Sequence, residues 1–255
     1  MGSVESAAAD RGLRLPGAFN ARDLGGLPAG DGGSVRAGML LRSGELSGLV
    51  TEGAAVLGEL GLRTVVDLRT GEEAAARPDF LNHSGTAQAA LHAIPLLPLA
   101  YDEIPSGQQD LYTHMADYCG AETARVVKVL AVPGALPGLI HCAVGKDRTG
   151  FAVAVILAVI GVPDEEILAD FLLSNPALGL PRPPTDADAA ARYLAHTTQA
   201  HSVMLSARNA VGADLLADAL ARIRSRYGTV ADYLRFGGVT DEELDALTNA
   251  LVDRG

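Results

Sequence analysis

The sequence predicts an α/β fold in which a central, mainly parallel sheet is flanked by helices. Short runs of β-branched and apolar residues alternate with helical stretches, which is the pattern of a parallel sheet covered on both faces. Residues 151–160 are apolar on every side of a helix, as expected for a helix at the centre of a protein. A chain of 255 residues can bury a substantial core, and one large domain is a better expectation than two.

The predicted elements follow one another up to residue 141. In chain order they are a hairpin-like strand pair over 34–42, a helix over 51–60, a strand within 63–69, a short helix opened by 70–73, a strand over 91–96, one long helix over 110–130 and a strand over 139–141. Thr51 is the expected N-cap of its helix and Gly61 the C-terminal stop. After residue 160 the chain is predicted to be wholly helical, apart from an irregular connection over 176–185 that contains four prolines.

Composition and charge exclude several classes of function. The formal net charge of −11 argues against nonspecific nucleic-acid binding and against tight docking on anionic membranes. No apolar run reaches the ~18–20 residues that span a bilayer, so stable membrane insertion is not expected. Residues 1–14 are small and polar, without the apolar core of a secretory signal, and are expected to form a flexible tail before a single domain over 15–255.

The two cysteines indicate a reducing compartment rather than a disulfide framework. The expected location is therefore the cytoplasm, with export without a signal peptide as the alternative. Cys119 is expected to be a buried helix residue.

One segment, His141–Gly150, points to specific chemistry. It places Cys142 and Arg148 six positions apart, between the strand over 139–141 and the apolar helix. A loop of this length can curl into a nest of backbone amides that binds an anion, and the helix start adds its positive end. Arg148 offers a planar fork for two phosphate oxygens, and the same surroundings favour the thiolate of Cys142. The segment predicts a cysteine that attacks a bound phosphate.

The residues expected to complete the phosphate cradle are Ala143, Val144, Gly145, Lys146, Asp147, Arg148 and Thr149. Thr149 is also expected to donate its hydroxyl to the Cys142 sulfur, and His141 to brace the loop through backbone hydrogen bonds. Because the arginine and the amides supply the positive charge, no metal or other cofactor is expected. The alternative interpretation makes Cys142 a core cysteine and Arg148 a surface residue at a helix N-terminus.

A nucleotide-binding phosphate loop is excluded as the source of the Gly145-Lys146 pair. That motif needs Gly five positions before its Gly-Lys and Ser or Thr after it. Ile140 and Asp147 occupy those positions here.

The pattern His-Cys-x-x-Gly-Lys-x-Arg-Thr-Gly resembles the signature of cysteine-dependent phosphatases, and its Gly-Lys-Asp-Arg form resembles bacterial lipid-phosphatase-like tyrosine phosphatases. Other blocks similar to that family are Asn20–Gly26, Leu41–Ser43, Val65–Arg69, Asp170–Asn175, Tyr227–Val230 and Tyr233–Leu234. The resemblance spans about residues 16–252. It implies a cysteine-phosphatase-like fold in which residues 176–212 form a mobile helical cover, or lid, over the active site. The alternative for that region is a peripheral helical pair without a gating role.

The leaving group needs a proton, which makes a carboxyl group near the loop the expected general acid. The chain has no Trp, so the Trp-Pro-Asp loop of better-known tyrosine phosphatases is absent in its usual form. The family resemblance implies Asp147 as the acid. Asp67 is the second candidate, because it lies at the carboxyl end of a predicted buried strand, where ligand sites gather. Each has a structural alternative: Asp147 pairing with a neighbouring lysine or arginine, and Asp67 pairing with Arg42 or Arg22.

The expected activity is metal-independent hydrolysis of phosphomonoesters of the protein-tyrosine-phosphatase type, through a phosphocysteine intermediate. Phosphotyrosine proteins or peptides are the expected substrates and inorganic phosphate the product. Lys146 resembles a lysine of phosphoinositide phosphatases, which makes phosphoinositides a further candidate, although Ala143 stands where those enzymes carry a second basic residue. The alternatives are a catalytically silent module that binds phosphorylated partners and, more remotely, a sulfurtransferase.

Overall fold

The structure, a computed structural model, describes residues 11–30, 32–81, 86, 88–97, 107–180 and 209–255. Its strands are, in chain order, β1 Arg22–Asp23, β2 Pro28–Ala29, β3 Gly33–Val35, β4 Leu40–Ser43, β5 Thr64–Asp67, β6 Ala90–Ala93, β7 Gly138–His141 and β8 Val252–Asp253. Its helices are α1 Thr51–Glu59, α2 Gly71–Ala76, α3 Gln108–Tyr118, α4 Gly120–Ala131, α5 Asp147–Val159, α6 Asp164–Leu172, α7 Ser174–Ala177, α8 Ala213–Tyr227, α9 Val230–Phe236 and α10 Asp241–Leu251.

A five-stranded sheet with the order β1-β4-β7-β5-β6 forms the centre of the fold. Strands β4, β7, β5 and β6 are parallel, and only the edge strand β1 runs antiparallel to its neighbour. Strands β2, β3 and β8 form a separate antiparallel sheet. The prediction of an α/β fold with a mainly parallel central sheet flanked by helices is confirmed.

The register of the central sheet positions the loop that follows β7. Ser43, His141 and Asp67, the last residues of β4, β7 and β5, lie side by side. Because β7 lies between β4 and β5, the Cys142 loop emerges at the carboxyl edge between the segments that follow those two strands. This is the edge at which open parallel sheets bind ligands.

The two faces of the sheet are covered by different helices, as the alternation of side chains along a strand requires. Ile140 of β7 belongs to the larger apolar cluster, which includes Phe151 of α5, whereas the preceding Leu139 belongs to a smaller cluster with Leu57 of α1. Helix α5 is apolar on all sides because it lies inside the larger cluster, and its residues from Thr149 to Leu157 are all buried.

Capping explains several helix boundaries. Thr70 and Glu73 form a capping box at the start of α2, and Thr240 and Glu243 form one at the start of α10. The expected cap of α1 is wrong, because Val50 occupies the N-cap position and Thr51 is the first helical residue.

Three further element predictions are wrong. The chain after residue 160 is not wholly helical, because Val252–Asp253 forms the strand β8, which pairs with β3. The segment 34–42 is not a hairpin: β3 pairs with β2 and β8, whereas β4 pairs with β1 and β7, because the turn at Gly38 (φ +75°) leads the chain from one sheet to the other. The predicted helix over 110–130 is two helices, since the backbone of Cys119 leaves the helical region (φ −97°, ψ 24°). Cys119 is buried, as predicted, but it lies between the two helices rather than within one, and its thiol donates to the carbonyl of Leu96 at 2.7 Å.

The ends of the predicted tail and cover lie against the domain. Residues 1–10 of the tail and 181–208 of the predicted lid lie outside the described residues. Arg11 forms an ion pair with Asp170 at 3.2 Å, and the Asn175 side chain bonds both the N–H and the carbonyl of Val211 at 2.9 Å. No helix in the described part of the chain combines the length and apolar character needed to cross a bilayer.

Candidate active site

The Cys142 loop connects the buried strand β7 to the N-terminus of α5. Cys142 follows the last residue of the strand and is itself buried, and the helix begins five residues later at Asp147. The positive end of the helix therefore faces the loop, as the sequence predicts.

Gly145 fixes the shape of the loop. Its φ of +71° is a conformation that favours glycine, and a Cβ atom there would lie 2.3 Å from the carbonyl oxygen of Ser43 in β4. Its amide donates to the sulfur of Cys142 at 3.2 Å. The predicted hydrogen bond from Thr149 to this sulfur is not formed here, and Thr149 Oγ1 is a buried atom without a hydrogen-bond partner among the described residues.

Donors outside the loop hold its carbonyl groups. The amide of Glu45 donates to the carbonyl of Ala143 at 3.2 Å. The carbonyl of Gly145 accepts from Asn20 Nδ2 at 2.8 Å and from Arg42 Nη2 at 2.9 Å. The same Asn20 nitrogen also donates to the carbonyl of Val144, between these two residues, at 3.3 Å. Three successive carbonyls are thus directed away from the centre of the loop.

This arrangement turns the following amides in the opposite direction. In a trans peptide the N–H of one residue points opposite to the carbonyl of the residue before it. The amides of Val144, Gly145 and Lys146 therefore face the concave side of the loop, and the contact between Gly145 and the sulfur shows this directly for one of them. Consecutive amides that converge in this way form an anion site.

A buried ionic network supports the loop from behind. Asp170 of α6 accepts from Arg22 Nε at 3.0 Å and from Arg42 Nη1 at 2.8 Å, and Arg22 Nη1 also donates to Asn20 Oδ1 at 2.6 Å. Burial alone would raise the pKa of the Asp170 carboxyl, but the two arginines lower it to about 2. Burial, reinforced by Arg22, lowers the pKa of Arg42 to about 10. This network joins three of the family-like blocks, Asn20–Gly26, Leu41–Ser43 and Asp170–Asn175.

Arg148 forms a bidentate ion pair that the sequence does not predict. Its Nη1 lies 2.6 Å from Glu73 Oε2 and its Nη2 lies 2.8 Å from Glu73 Oε1. Burial opposes both charges. However, the pKa of Arg148 is raised by the hydrogen bond to Glu73 and by the negative charge of Cys142, and the pKa of Glu73 is lowered by Arg148. The capping pattern marks Glu73 as an N3 residue, but not as a partner of an arginine far along the chain.

Asp147, the first candidate acid, lies buried at the start of α5. Its Oδ1 accepts from the hydroxyl of Tyr112 at 3.0 Å, and its Oδ2 lies 3.8 Å from Lys146 Nζ. Burial and the charge of Asp147 raise the pKa of Tyr112 well above its usual value, so the phenol stays protonated and donates. Lys146 Nζ is buried and also donates to the carbonyl of Asn209. Tyr112 carried no signal in the sequence.

Asp67, the second candidate acid, is bound by Arg69 rather than by the expected Arg42 or Arg22. Arg69 Nε lies 2.9 and 3.1 Å from the two Asp67 oxygens, and Arg69 Nη2 lies 2.8 Å from Asp67 Oδ2. The same Nη2 lies 2.8 Å from Asp79 Oδ1.

His141 lies against this second network. Its Nε2 is 3.1 Å from Asp79 Oδ2, and its Nδ1 is 3.9 Å from Asp67 Oδ1. Asp67, Asp79 and His141 could together offer three ligands to a metal ion, but the guanidinium of Arg69 already places a positive charge between the two carboxylates. Burial raises the pKa of Asp79, and His141 and Arg69 outweigh that effect and lower it.

Known proteins similar to this chain are phosphatases. A family model described as "Tyrosine phosphatase family" matches residues 13–253. Triple specificity protein phosphatase PtpB of Mycobacterium tuberculosis is 30% identical over 93% of this chain and 98% of its own length. A putative tyrosine-protein phosphatase of Cupriavidus necator is 35% identical over 61% of this chain and 60% of its own length. A crystal structure of P. aeruginosa TpbA shares 21% identity over 68% of this chain and 87% of that chain, with a TM-score of 0.36.

Proposed function

The chain belongs to the tyrosine phosphatase family, and from that premise we propose that it hydrolyses phosphotyrosine through a phosphocysteine intermediate on Cys142. The thiolate attacks phosphorus in line, so that the S–P bond forms as the P–O bond to the tyrosine breaks and a carboxyl group protonates the departing phenolate. Water then attacks phosphorus, gives a proton to the carboxylate that formed in the first step and breaks the S–P bond, which releases inorganic phosphate and restores both the thiolate and the carboxyl group.

One observation carries this proposal: the Gly145 amide donates to the Cys142 sulfur at 3.2 Å while three loop carbonyls are held outward. The nucleophile and the inward amides thus share one concave surface, which can bind three equatorial phosphate oxygens. Arg148 adds a guanidinium whose charge matters most in the transition state. These groups supply positive charge without a metal ion.

We assign the general acid to Asp147 rather than Asp67. Asp147 lies within the phosphate loop, next to Arg148, and its Oδ1 accepts from the hydroxyl of Tyr112 at 3.0 Å. Both oxygens of Asp67 instead accept from Arg69, which makes Asp67 part of a structural ion pair outside the loop. In Asp147→Asn, kcat for aryl phosphates should fall most for the substrate with the poorest leaving group. In Asp67→Asn, kcat should fall by the same factor for all of these substrates.

The proposal is tested by hydrolysis of p-nitrophenyl phosphate in EDTA. Cys142→Ser should lose at least ~10³-fold in kcat, as removal of a covalent nucleophile does in other hydrolases. Cys119→Ser is the matched control and should retain activity, because burial raises the pKa of that thiol to about 12 and leaves it a poor nucleophile. Full activity in Cys142→Ser would refute the nucleophile. Vanadate binding without turnover in the wild type would favour the silent phosphate-binding module.

We propose phosphoinositides as a second class of substrate. Lys146 adds a positive charge within the loop, and a relative over nearly the whole chain is named a triple specificity phosphatase. The Lys146 ammonium is buried against Asn209 and Asp147, which favours phosphotyrosine as the better substrate. Comparison of kcat/KM for phosphotyrosine peptides and for inositol phospholipids in mixed micelles tests this order.

The cytoplasm remains the proposed location. Cys119 and Cys142 are both free thiols, which supports a reducing compartment. Fractionation of cells that express the chain from its own gene tests this.

A further inference from the structure

We propose that Asn175 is a positioning residue that determines specificity by fixing the side chain of Lys146. Asn175 holds the 209–211 segment through the backbone of Val211, and this segment keeps the Lys146 ammonium group buried, out of reach of a second phosphate on the substrate. The clamp therefore favours substrates with a single phosphate, such as phosphotyrosine, over inositol lipids that carry two adjacent ring phosphates. This inference rests on the proposed function, because it assigns a preference among the substrates of that reaction.

A pair of hydrogen bonds joins the side chain of Asn175 to the backbone of Val211. The Asn175 Nδ2 donates to the Val211 carbonyl, and the Asn175 Oδ1 accepts from the Val211 amide, both at 2.9 Å. Both residues are buried, so water does not compete for either bond. A residue that is bonded at both backbone groups cannot shift without breaking both bonds. Val211 is thus fixed relative to α7, which carries Asn175.

The ammonium group of Lys146 is bound two residues before this clamp. Its Nζ donates to the carbonyl of Asn209 and lies 3.8 Å from Asp147 Oδ2, and the whole side chain is buried. A buried ammonium group needs an acceptor or an opposite charge in place of water. Ala210, which lies between Asn209 and Val211, is buried as well, so the segment has little room to carry the Asn209 carbonyl elsewhere. The clamp on Val211 therefore fixes the acceptor of Lys146.

The position of Lys146 decides which substrates it can bind. Lysine carries its charge on a flexible stem, so a released Lys146 can turn towards a phosphate on the substrate. Held at the Asn209 carbonyl, its ammonium group is buried, and the first phosphate is bound by the loop amides and Arg148. A second phosphate gains a charge-assisted hydrogen bond only where Lys146 is released. Loss of the clamp should therefore shift the preference towards substrates with two phosphates.

The freedom of Lys146 can be measured directly, because Lys128 and Lys146 are the only two lysines of the chain. Lys128 is half-buried and serves as the internal reference. Reductive methylation with formaldehyde, followed by mass spectrometry of the peptides, gives the rate at each lysine. In the wild type, Lys146 should react at least ~10-fold more slowly than Lys128, because its reaction requires local opening. In Asn175→Ala, the rate at Lys146 relative to Lys128 should rise ~10-fold.

Specificity is measured by competition with the hydrolysis of p-nitrophenyl phosphate. The competitors are two dioctanoyl inositol phospholipids, one with a single ring phosphate and one with two adjacent ring phosphates. In Asn175→Ala, the inhibition constant of the first divided by that of the second should rise ~10-fold, the effect of one hydrogen bond to a charged group. In the Lys146→Met background, Asn175→Ala should change this ratio by less than about twofold, because the group that the clamp restrains has gone.

Asn249→Ala is the matched control, because the Asn249 side chain also forms a hydrogen bond, from Arg254 at 3.2 Å, but on the surface. In this variant both the methylation ratio and the lipid ratio should stay within about twofold of wild type. Asn175→Asp provides the same test if Asn175→Ala does not fold, as judged by circular dichroism. It keeps an acceptor for the Val211 amide but loses the donor to the Val211 carbonyl, so both ratios should rise by a smaller factor.

Three results would overturn the inference. They are a methylation ratio or a lipid ratio that is unchanged in every folded Asn175 variant, a shift in the lipid ratio that persists in the Lys146→Met background, and equal shifts in Asn175→Ala and Asn249→Ala. Failure of the proposed function would be seen separately, as wild-type hydrolysis of p-nitrophenyl phosphate that is absent or independent of Cys142. Methylation would still report on the clamp in that case, because it requires no turnover.

Discussion

Replacement of Asp170 by Asn removes the one carboxylate that separates two buried guanidinium groups. Arg22 and Arg42 are 4% and 1% exposed, and both donate to the carboxylate oxygens at 2.8–3.2 Å. The variant keeps the size of the side chain but leaves the two positive charges facing each other, and burial together with Arg22 already lowers the pKa of Arg42 to about 10. Because Arg42 also bonds the carbonyl of Gly145, the change should reach the active-site loop.

The expected loss of stability follows from two estimates. A pKa of Asp170 lowered from 3.8 to about 2 corresponds to about 2–3 kcal/mol, at ~1.4 kcal/mol for each pKa unit. Removal of one partner from a buried ion pair costs ~3–5 kcal/mol, which is more because the charge that stays behind is uncompensated. The mutation removes the partner, so we expect a loss of about 3 kcal/mol or more, a large fraction of the ~5–15 kcal/mol that stabilises a typical domain.

Urea unfolding followed by circular dichroism measures this loss, with kcat determined on the same samples. Asp164→Asn is the matched control, because Asp164 also binds an arginine through both oxygens, at 2.6 and 2.7 Å, but on the surface. A surface pair contributes ~0–1 kcal/mol, so the control should unfold close to wild type. If the two variants differ by less than about 1 kcal/mol, the network is not the support described above.

Three other perturbations test separate contacts. Gly145→Ala should lose at least ~10²-fold in kcat, because its Cβ would lie 2.3 Å from a carbonyl oxygen of β4. The control Gly26→Ala has a similar φ of +81° but lies in open space, so its kcat should stay within a few fold of wild type. Equal kcat values in the two variants would contradict this reasoning. Tyr112→Phe removes the hydroxyl 3.0 Å from Asp147 and should lower kcat about tenfold for the poorest leaving group only, so a uniform loss would argue against Asp147 as the acid. The pKa of Asp170 is lower in the folded than in the unfolded protein, so its contribution to stability is complete above pH 3.8 and disappears towards pH 2. Between these pH values the free energy of unfolding of the wild type should fall by about 2 kcal/mol more than that of Asp170→Asn. Equal falls in the two proteins would contradict the assignment.

The loop from Cys142 to Arg148 could be predicted from the sequence, because the residues that define it lie within the ten consecutive positions 141–150. The order of strand, loop and buried helix depends on apolar pattern and on short spacing, and these survive in the structure from Gly138 to Val159. The capping box of Thr70 and Glu73 is equally local, and it too is visible as a pattern.

The supporting contacts could not be predicted, because they join residues far apart in the chain. Glu73 and Arg148 are separated by 75 positions, and Arg42 and Asp170 by 128. Such pairs depend on the order of strands in the sheet, which spacing along the chain does not contain. The hairpin predicted over 34–42 fails for the same reason: each strand is a good local strand, but its partner is chosen by the global topology.

The two buried networks make the charge on the two sides of the loop unequal, in a chain whose net charge is −11. Behind the β4 side of the loop, the carboxylate of Asp170 is surrounded by the guanidinium groups of Arg11, Arg22 and Arg42. On the β5 side, the guanidinium group of Arg69 is surrounded by the carboxylates of Glu45, Asp67 and Asp79. The excess positive charge therefore lies beside the carbonyl of Gly145, and the Cys142 charge stabilises the protonated form of Arg42. The β5 side carries an equal negative excess, so the groups named in the two networks add no net charge together. A phosphate is therefore attracted only where it lies closer to the β4 side than to the β5 side.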